Sequence, residues 1–366
     1  MNVLGIESSC DETAAAIIQD GQTILSNVVV SQIDLFASYG GVIPEIAARS
    51  HLEAILPVIH QAFQNANFTI PSPHQPSQNL PNWDKIDAIA VTHTPGLLGS
   101  LLIGTLTART LAILHHKPLF PIHHLKSHIY ANWLNSSNIQ FPLLALVVSG
   151  GHTQIILMQQ HNHFEIIGTT KDDAVGECFD KVAKILGLPY PGGPSITKTA
   201  ANGDPTRYTF PHPMSGSLDF SFSGLKTAVL REVQKAVNQP ISFPSSKLVE
   251  LLNPQQKADF AASFEQAATD ILIEKIKLAL KQNPETKTLI IAGGVSANQR
   301  LRHDLTKFIE QQNSKLSTKI KLFFPEPHFS GDNGAMVASA AYYEILSKVP
   351  PTDPYTLNIL PRSIIK

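Results

Sequence analysis

The chain builds one local pattern twice, about 140 residues apart, and that repetition constrains its fold more than any other feature. Residues Asn2 to Ile6 are apolar enough for a buried strand, which ends in Glu7-Ser8-Ser9-Cys10-Asp11-Glu12-Thr13. Apolar residues resume at Ala14 to Ile18 and again at Ile24 to Val30, across an Asp20-Gly21 turn. Leu143 to Ser149 is a second such strand, followed by Gly150-Gly151-His152-Thr153 and another apolar run to about Met158. Strand, small polar turn and strand make a hairpin. Two of them predict a duplicated α/β core with a cleft between its halves. The first turn carries hydroxyls and carboxylates, the groups that meet phosphate or a phosphate-bound metal. The glycines of the second leave backbone N–H groups bare for phosphate oxygens. A tight turn would also explain Gly150 and Gly151, but not why both halves repeat the device.

Bulk properties narrow the class. A chain of 366 residues has room for two domains, and 43% hydrophobic with 16% charged residues is a globular composition. The net charge of −1 gives no global attraction for nucleic acid, so any RNA must be met by a local patch or with a partner's help. Cys10 and Cys178 cannot make a disulfide framework. The first residues reach Glu7 before any long apolar run, unlike a signal peptide, and no run of about 18 apolar residues suits a membrane span. A cytoplasmic location is the expectation.

Within Pro121-Ile122-His123-His124-Leu125-Lys126-Ser127-His128-Ile129-Tyr130, His124 and His128 lie four apart and share one face of a helix. That spacing suits two ligands of one metal ion, and imidazole binds Zn, Fe, Ni and Cu. A third ligand must come from elsewhere; Asp332, in Ser330-Gly331-Asp332-Asn333-Gly334-Ala335-Met336 before a late Ala-rich helix, is the best candidate. With 15 histidines in the chain such a pair also arises by chance, so on its own it leaves both readings open. It is not the protease motif HExxH, because Leu125 stands where that motif needs Glu.

Elsewhere, a helix is expected from about Glu45 to Phe63 with Ile46, Leu52, Ile55, Leu56 and Ile59 as its apolar stripe. Asn67 to Asp84, with Pro71, Pro73, Pro76 and Pro81, reads as a surface insertion. After a strand at Ile86 to Val91, Pro95-Gly96-Leu97-Leu98-Gly99-Ser100 leads into a helix to about His115. That turn suits an anion cradle and plain close packing equally. His115 and His116, at the helix end, read as structural. A helix with an acidic first turn is expected from Asp172 to about Leu186, then a rigid turn at Tyr190-Pro191-Gly192-Gly193-Pro194. Residues 200 to 250 read as irregular, and Gln255 to Lys281 as a long amphipathic helix. Thr288 to Ala292 followed by Gly293-Gly294-Val295-Ser296-Ala297-Asn298 and a helix bearing Arg300 and Arg302 is a strand–glycine–helix crossing of nucleotide-binding type. A final helix spans about Asp332 to Ser347.

Seven motifs, in order, resemble the TsaD family of bacterial tRNA adenosine threonylcarbamoyltransferases, long mislabelled glycoproteases. They are Gly5 to Thr13, His124 to His128, Val148 to Thr153, Pro191 to Pro194, Phe220 to Thr227, Ala292 to Asn298 and Asp332 to Met336, so the resemblance spans nearly the whole chain. It implies an α/β, two-lobe actin/sugar-kinase-like (ASKHA) fold around a nucleotide cleft. One lobe would be residues 1–138 with part of 335–366; the other, 139–334, would carry a helical insertion at about 170–260. It implies one divalent metal on His124, His128 and Asp332, Fe(2+) favoured and Zn(2+) the alternative. It implies that Val147, Val148, Ser149, Gly150, Gly151, Asp180, Gly193 and Asn298 bind threonylcarbamoyl-AMP. The exocyclic N6 amine of adenosine 37, just 3′ of the anticodon in tRNAs that read codons beginning with adenine, would attack the carbamoyl carbon and release AMP. Asp11 and Glu12 are the candidates for general base. The implied partners are tRNA, a TsaB-like paralogue and a TsaE-like ATPase, with ATP and Mg entering through that complex and a TsaC-type enzyme supplying the adenylate.

The chain departs from the family pattern at Thr94 and Gly331, where Gly and Thr are usual, and in its longer insertion. Gly331 removes a hydroxyl able to support Asp332. Three rival readings fare worse. A metalloprotease lacks its Glu, a small-molecule kinase of the same fold leaves the metal residues without purpose, and a dead scaffold has no need of intact ligands.

Overall fold

The computed structural model describes residues 1–73, 79–134, 136, 138–315 and 318–365. Residues 74–78 of the Pro-rich insertion, Pro76 among them, lie outside that set. The chain divides into two units: Met1–Ile139 with Gln160–Phe164 and Pro325–Lys366, and Gln140–Gln159 with Glu165–Phe324. The returning segment therefore starts at Pro325, earlier than the boundary at 335, and brings Asp332 into the unit that holds the histidine pair.

In the first unit the apolar runs become β1 (Asn2–Glu7), β2 (Glu12–Gln19) and β3 (Thr23–Ser31). Asp20-Gly21-Gln22 joins β2 to β3, and Asp20 and Gly21 both take the positive φ that Gly and Asp tolerate best in such turns. Helix α1 (Pro44–Asn65), strand β4 (Ala88–Thr94), helix α2 (Leu98–Leu114), strand β5 (Leu119–His123) and helix α3 (His124–Tyr130) follow. The sheet order is β3-β2-β1-β4-β5, with β1 antiparallel to β2 and parallel to β4.

The second unit repeats the plan. Strands β6 (Leu143–Val148), β7 (Thr153–Gln160) and β8 (His163–Thr169) lead to helices α4 (Val175–Leu186), α5 (Gly192–Ala200), α6 (Ser223–Ala236) and α7 (Pro254–Gln282). Strand β9 (Thr288–Ala292), helix α8 (Gln299–Asn313) and strand β10 (Lys321–Phe323) complete it, in the order β8-β7-β6-β9-β10. Helix α9 (Gly334–Leu346) then belongs to the first unit. The two sheets share one strand order, as the duplicated sequence pattern predicts.

Alternation along β1 shows how the core is shared. Leu4 and Ile6 are fully buried in a cluster with Ile55, Ile59 and Phe63 of α1, each burial contributing about 1.5–3 kcal/mol. Gly5 faces the other way, toward α9. A Cβ at Gly5 would lie 2.2 Å from the Gly334 carbonyl oxygen, so the strand accepts α9 only because this position has no side chain.

Three expectations need correction. The buried face of α1 is Ala47, His51, Ile55, Val58, Ile59, Ala62 and Phe63, whereas Leu52 and Leu56 are exposed. Helix α4 starts at Val175, because the Asp172 carboxylate is taken by Ser221, Phe222 and Ser223, four hydrogen bonds in all. Residues 200 to 250 contain α6, whose buried Leu225, Val229 and Val233 recur at helical spacing.

Candidate functional site

The first unit gathers three ligand-type groups. Strand β5 runs straight into α3, so His124 and His128 stand one turn apart at the helix start and both are buried. Asp332 precedes Asn333, which caps α9 by accepting from the Met336 N–H at 2.9 Å. His124 Nε2 and His128 Nε2 are 3.1 Å apart, and they lie 3.5 and 3.1 Å from Asp332 Oδ1. Donor atoms about 2.1 Å from a common ion stand about 3.0 Å apart at right angles and about 3.4 Å apart at the tetrahedral angle. The triangle fits one metal ion, and these are the residues able to hold it.

The second nitrogen of His124 explains its orientation. Nδ1 lies 3.2 Å from Glu7 Oε2, and Glu7 is fully buried. Glu7 also accepts from the Ser9 N–H and the Thr92 hydroxyl, each at 2.6 Å. A carboxylate pinned in this way directs the Nδ1 proton toward itself and leaves the Nε2 lone pair for an ion. His124 is raised to about 9: burial lowers it, but the Asp332 and Glu7 carboxylates outweigh burial. Glu7 was absent from the sequence-derived site. A strand-end acid preceding the Ser-Ser turn was the available signal.

Asp11 and Glu12, the candidate bases, occupy the β1–β2 turn and the start of β2. Burial pushes Glu12 up to about 10, with Asp332 and Asp11 adding repulsion. Burial and the same acids raise the Cys10 thiol, which keeps it protonated. This corner concentrates carboxylates that a bound cation would relieve. Glycines elsewhere in the unit serve close packing: a Cβ at Gly96 would meet the Ser9 carbonyl oxygen at 2.5 Å. The ring of His115 stacks on Trp83 at 4.1 Å, in keeping with a structural role.

The second unit holds a cavity of about 500 Å³ at the carboxyl ends of β6 and β9. Gly150, Asp180, Gly193 and Asn298 line it; Val147, Val148, Ser149 and Gly151 do not. Val147 and Val148 have fully buried side chains, so only their backbone is available to a ligand. Phe179, Pro191, Pro194 and Val295 add apolar wall suited to a flat aromatic ring, and Lys198 adds a cation. Asp180 accepts from the Gly192 N–H at 2.7 Å, fixing the glycine turn. The Asn298 side chain is committed to protein: its oxygen caps α8, and its NH2 donates to Glu265 at 2.7 Å and Thr197 at 3.0 Å. Buried Glu265 also accepts from Thr197 at 2.6 Å, and sequence reasoning missed it because it lies inside the long α7.

Comparisons with known proteins bear on the family and the fold. The model of the TsaD family, tRNA N6-adenosine threonylcarbamoyltransferase, matches residues 23–339. The tRNA N6-adenosine threonylcarbamoyltransferase of Symbiobacterium thermophilum is 48% identical over 342 residues, covering 93% of this chain and 91% of that one. The one from Caldicellulosiruptor saccharolyticus is 42% identical, covering 99% and 97%. Among solved structures, full-length HypF in its phosphate- and nucleotide-bound form aligns with a TM-score of 0.56 at 12% identity, over 94% of this chain and 46% of HypF. That likeness is one of fold alone, and the fold is the actin/sugar-kinase (ASKHA) type.

Proposed function

The chain belongs to the TsaD family of tRNA N6-adenosine threonylcarbamoyltransferases, and from that premise we propose how its residues divide the work. The enzyme transfers a threonylcarbamoyl group to N6 of adenosine in tRNA. In this reading the donor is threonylcarbamoyl-AMP, the target is adenosine 37 of tRNAs reading codons that begin with adenine, and AMP is released. The adenylate occupies the glycine-lined cavity. Gly150 and Gly193 approach its polar atoms by backbone, Asp180 and Asn298 hold the cavity wall, and Lys198 meets negative charge at the rim.

His124, His128 and Asp332 hold one divalent metal, Fe(2+) favoured and Zn(2+) the alternative. Such a metal, when bound, stabilises negative charge on oxygen as a Lewis acid. Glu7 fixes the His124 tautomer. Asp11 takes the proton that the N6 amine loses during attack, and Glu12, held protonated by burial and the neighbouring acids, orients it. The observation that carries the reading is the triangle of His124, His128 and Asp332 ligand atoms, with Glu7 behind His124.

The partners in this reading are a TsaB-like paralogue, a TsaE-like ATPase that brings ATP and Mg, and a TsaC-type enzyme that supplies adenylate. An apolar face supports a paralogue partner: Leu52 and Leu56 on α1, with Leu98, Leu102 and Leu106 on α2, are exposed at helical spacing. Among the described residues no helix is long and apolar enough to cross a membrane. The cytoplasmic location in this reading rests on the tRNA substrate of the family.

The test is a single-turnover transfer assay with preformed adenylate and unmodified tRNA, run beside metal analysis. Wild-type protein should label tRNA and carry one metal per chain. His124→Ala/His128→Ala should lose both. Transfer by the double variant would demote the metal to structure. No transfer by either protein, even with partners added, would overturn the assignment of the adenylate as donor.

A further inference from the structure

Charge is distributed unevenly along this nearly neutral chain. Residues 277–321 carry nine Lys and Arg against three Asp and Glu, while the remainder carries nineteen against twenty-six. The structure collects much of this excess on the second unit, around a concavity of about 600 Å³. Lys277, Lys281 and Lys287 line it, over a floor formed by Leu280, Phe308 and Ile320. Lys307, Lys319 and Lys321 lie beside lining residues in sequence, Lys315 lies between Gln312 and Thr318, and all four are exposed.

Among the described residues, lysines without a carboxylate partner also occur elsewhere on the chain, Lys85, Lys247 and Lys348 among them; what sets Lys277, Lys281 and Lys287 apart is that they line one hollow. Lys126, Lys171, Lys181, Lys235 and Lys275 each have a carboxylate within 4 Å. No ion pair occurs for Lys277, Lys281, Lys287, Lys307, Lys315 or Lys319 among the described residues, and Glu285 is the one carboxylate in the lining. Three like-charged ammonium groups lining one hollow, with further exposed lysines nearby in sequence, are tolerated in water but attract a polyanion strongly.

The geometry points to this basin as a docking surface for the sugar–phosphate backbone of the tRNA, which rests on the tRNA activity assigned above. Lysine is a point charge without base-reading geometry, so the basin holds RNA regardless of sequence and leaves choice of the adenosine to the site. It lies at the opposite end of β9 from the adenylate cavity: Lys287 precedes that five-residue strand and Gly294 follows it. Such a strand is about 17 Å long, so the basin can be altered without touching the cavity.

The test uses the full chain and the triple variant Lys277→Ala/Lys281→Ala/Lys287→Ala. A charge-matched control replaces exposed lysines elsewhere, Lys85→Ala/Lys247→Ala/Lys348→Ala. Fluorescence anisotropy gives the Kd for unmodified tRNA between about 50 and 200 mM salt, and calorimetry gives the adenylate Kd. The basin variant should bind tRNA at least about tenfold more weakly near 0.1 M salt, with its log–log salt slope reduced by about two to three. Its adenylate affinity, and its transfer rate at saturating tRNA, should stay within about twofold of wild type. The same loss should appear with a tRNA lacking the target adenosine. Equal losses in both triple variants, an unchanged tRNA Kd, or no tRNA binding by the wild-type chain would each overturn the proposal. If the variant instead lost association with a protein partner at unchanged tRNA Kd, the basin would be a protein dock. Adenylate binding intact in any of these cases keeps failure of the basin distinct from failure of the transferase mechanism.

Discussion

Replacing Glu7 by Gln tests the metal site through a residue that does not touch the metal. The two side chains have nearly the same volume, so the buried site refills without a cavity. What changes is the direction of hydrogen bonds. Glu7 accepts from the Ser9 N–H at Oε1 and from the Thr92 hydroxyl at Oε2, beside His124 Nδ1. A Gln that keeps its oxygen on Ser9 turns its NH2 toward Thr92 and His124. His124 then accepts at Nδ1 and carries its proton on Nε2, the atom that faces His128 and Asp332. A protonated Nε2 cannot bind metal until the tautomer is reversed. Losses of 10- to 100-fold in metal affinity follow when such supporting groups are changed, about 1.4–2.8 kcal/mol. Competition of metal-free protein with a chelator measures the affinity, and thermal unfolding of the same samples checks that the fold survives. Glu7→Gln with wild-type metal affinity and a wild-type melting curve would falsify the tautomer argument. Thr92→Val, which removes one anchor of Glu7, should give a smaller loss of the same sign.

Other perturbations test the remaining structure. His124 in the metal-free protein is raised to about 9 from an ordinary value near 6.5, so its contribution to stability is complete below about 6.5 and lost as pH rises through about 9. Metal binding must displace that proton, so metal affinity should climb over the same interval, read by chelator competition at several pH values. Gly5→Ala sets a Cβ 2.2 Å from the Gly334 carbonyl oxygen and forces α9 away; a loss of about 1–3 kcal/mol should appear as a lower melting temperature, with weakened metal binding because Asp332 moves with the helix. Asp172→Ala should cost about 1 kcal/mol by releasing Ser221, Phe222 and Ser223. The Asp172 carboxyl is held low by those hydrogen bonds against burial, so its contribution is present above the ordinary carboxylate value and fades as pH falls through its folded value; the variant should lack this acid limb in urea titrations.

The repeated strand–turn–strand pattern was enough to foresee two sheets, because a strand buried on both faces reads as a continuous apolar run. Residues Leu143 to Val148 and Thr288 to Ala292 are such runs. The His124–His128 pair was legible because helix period alone puts both rings on one face. Its third partner was placed by residue type and resemblance; distance along the chain said nothing about proximity. The α1 stripe was misread because two faces of that helix are apolar, and periodicity ranks Leu52 above Ala47 although the smaller residue is the one packed. Glu7 and Glu265 escaped notice because their value lies in which donors surround them, a property of the assembled fold. The resemblance put Val147 and Val148 at the adenylate without saying by which atoms; their buried side chains leave only backbone open to a ligand, which residue type alone does not show.

Asp332 lies on a segment that rejoins the first unit after the whole of the second has been threaded between them. During synthesis at about 5–20 residues per second, the third ligand emerges roughly 10–40 s after His128. A nascent chain extending only to Phe324 holds both histidines and every strand of both sheets, but neither the carboxylate nor the buried residues of α9. Under the proposed assignment of the metal ligands, metal capture would report that translation has passed Asp332, just ahead of α9. A ribosome stalled before that point displays a nearly complete enzyme that lacks the residue completing its metal triangle.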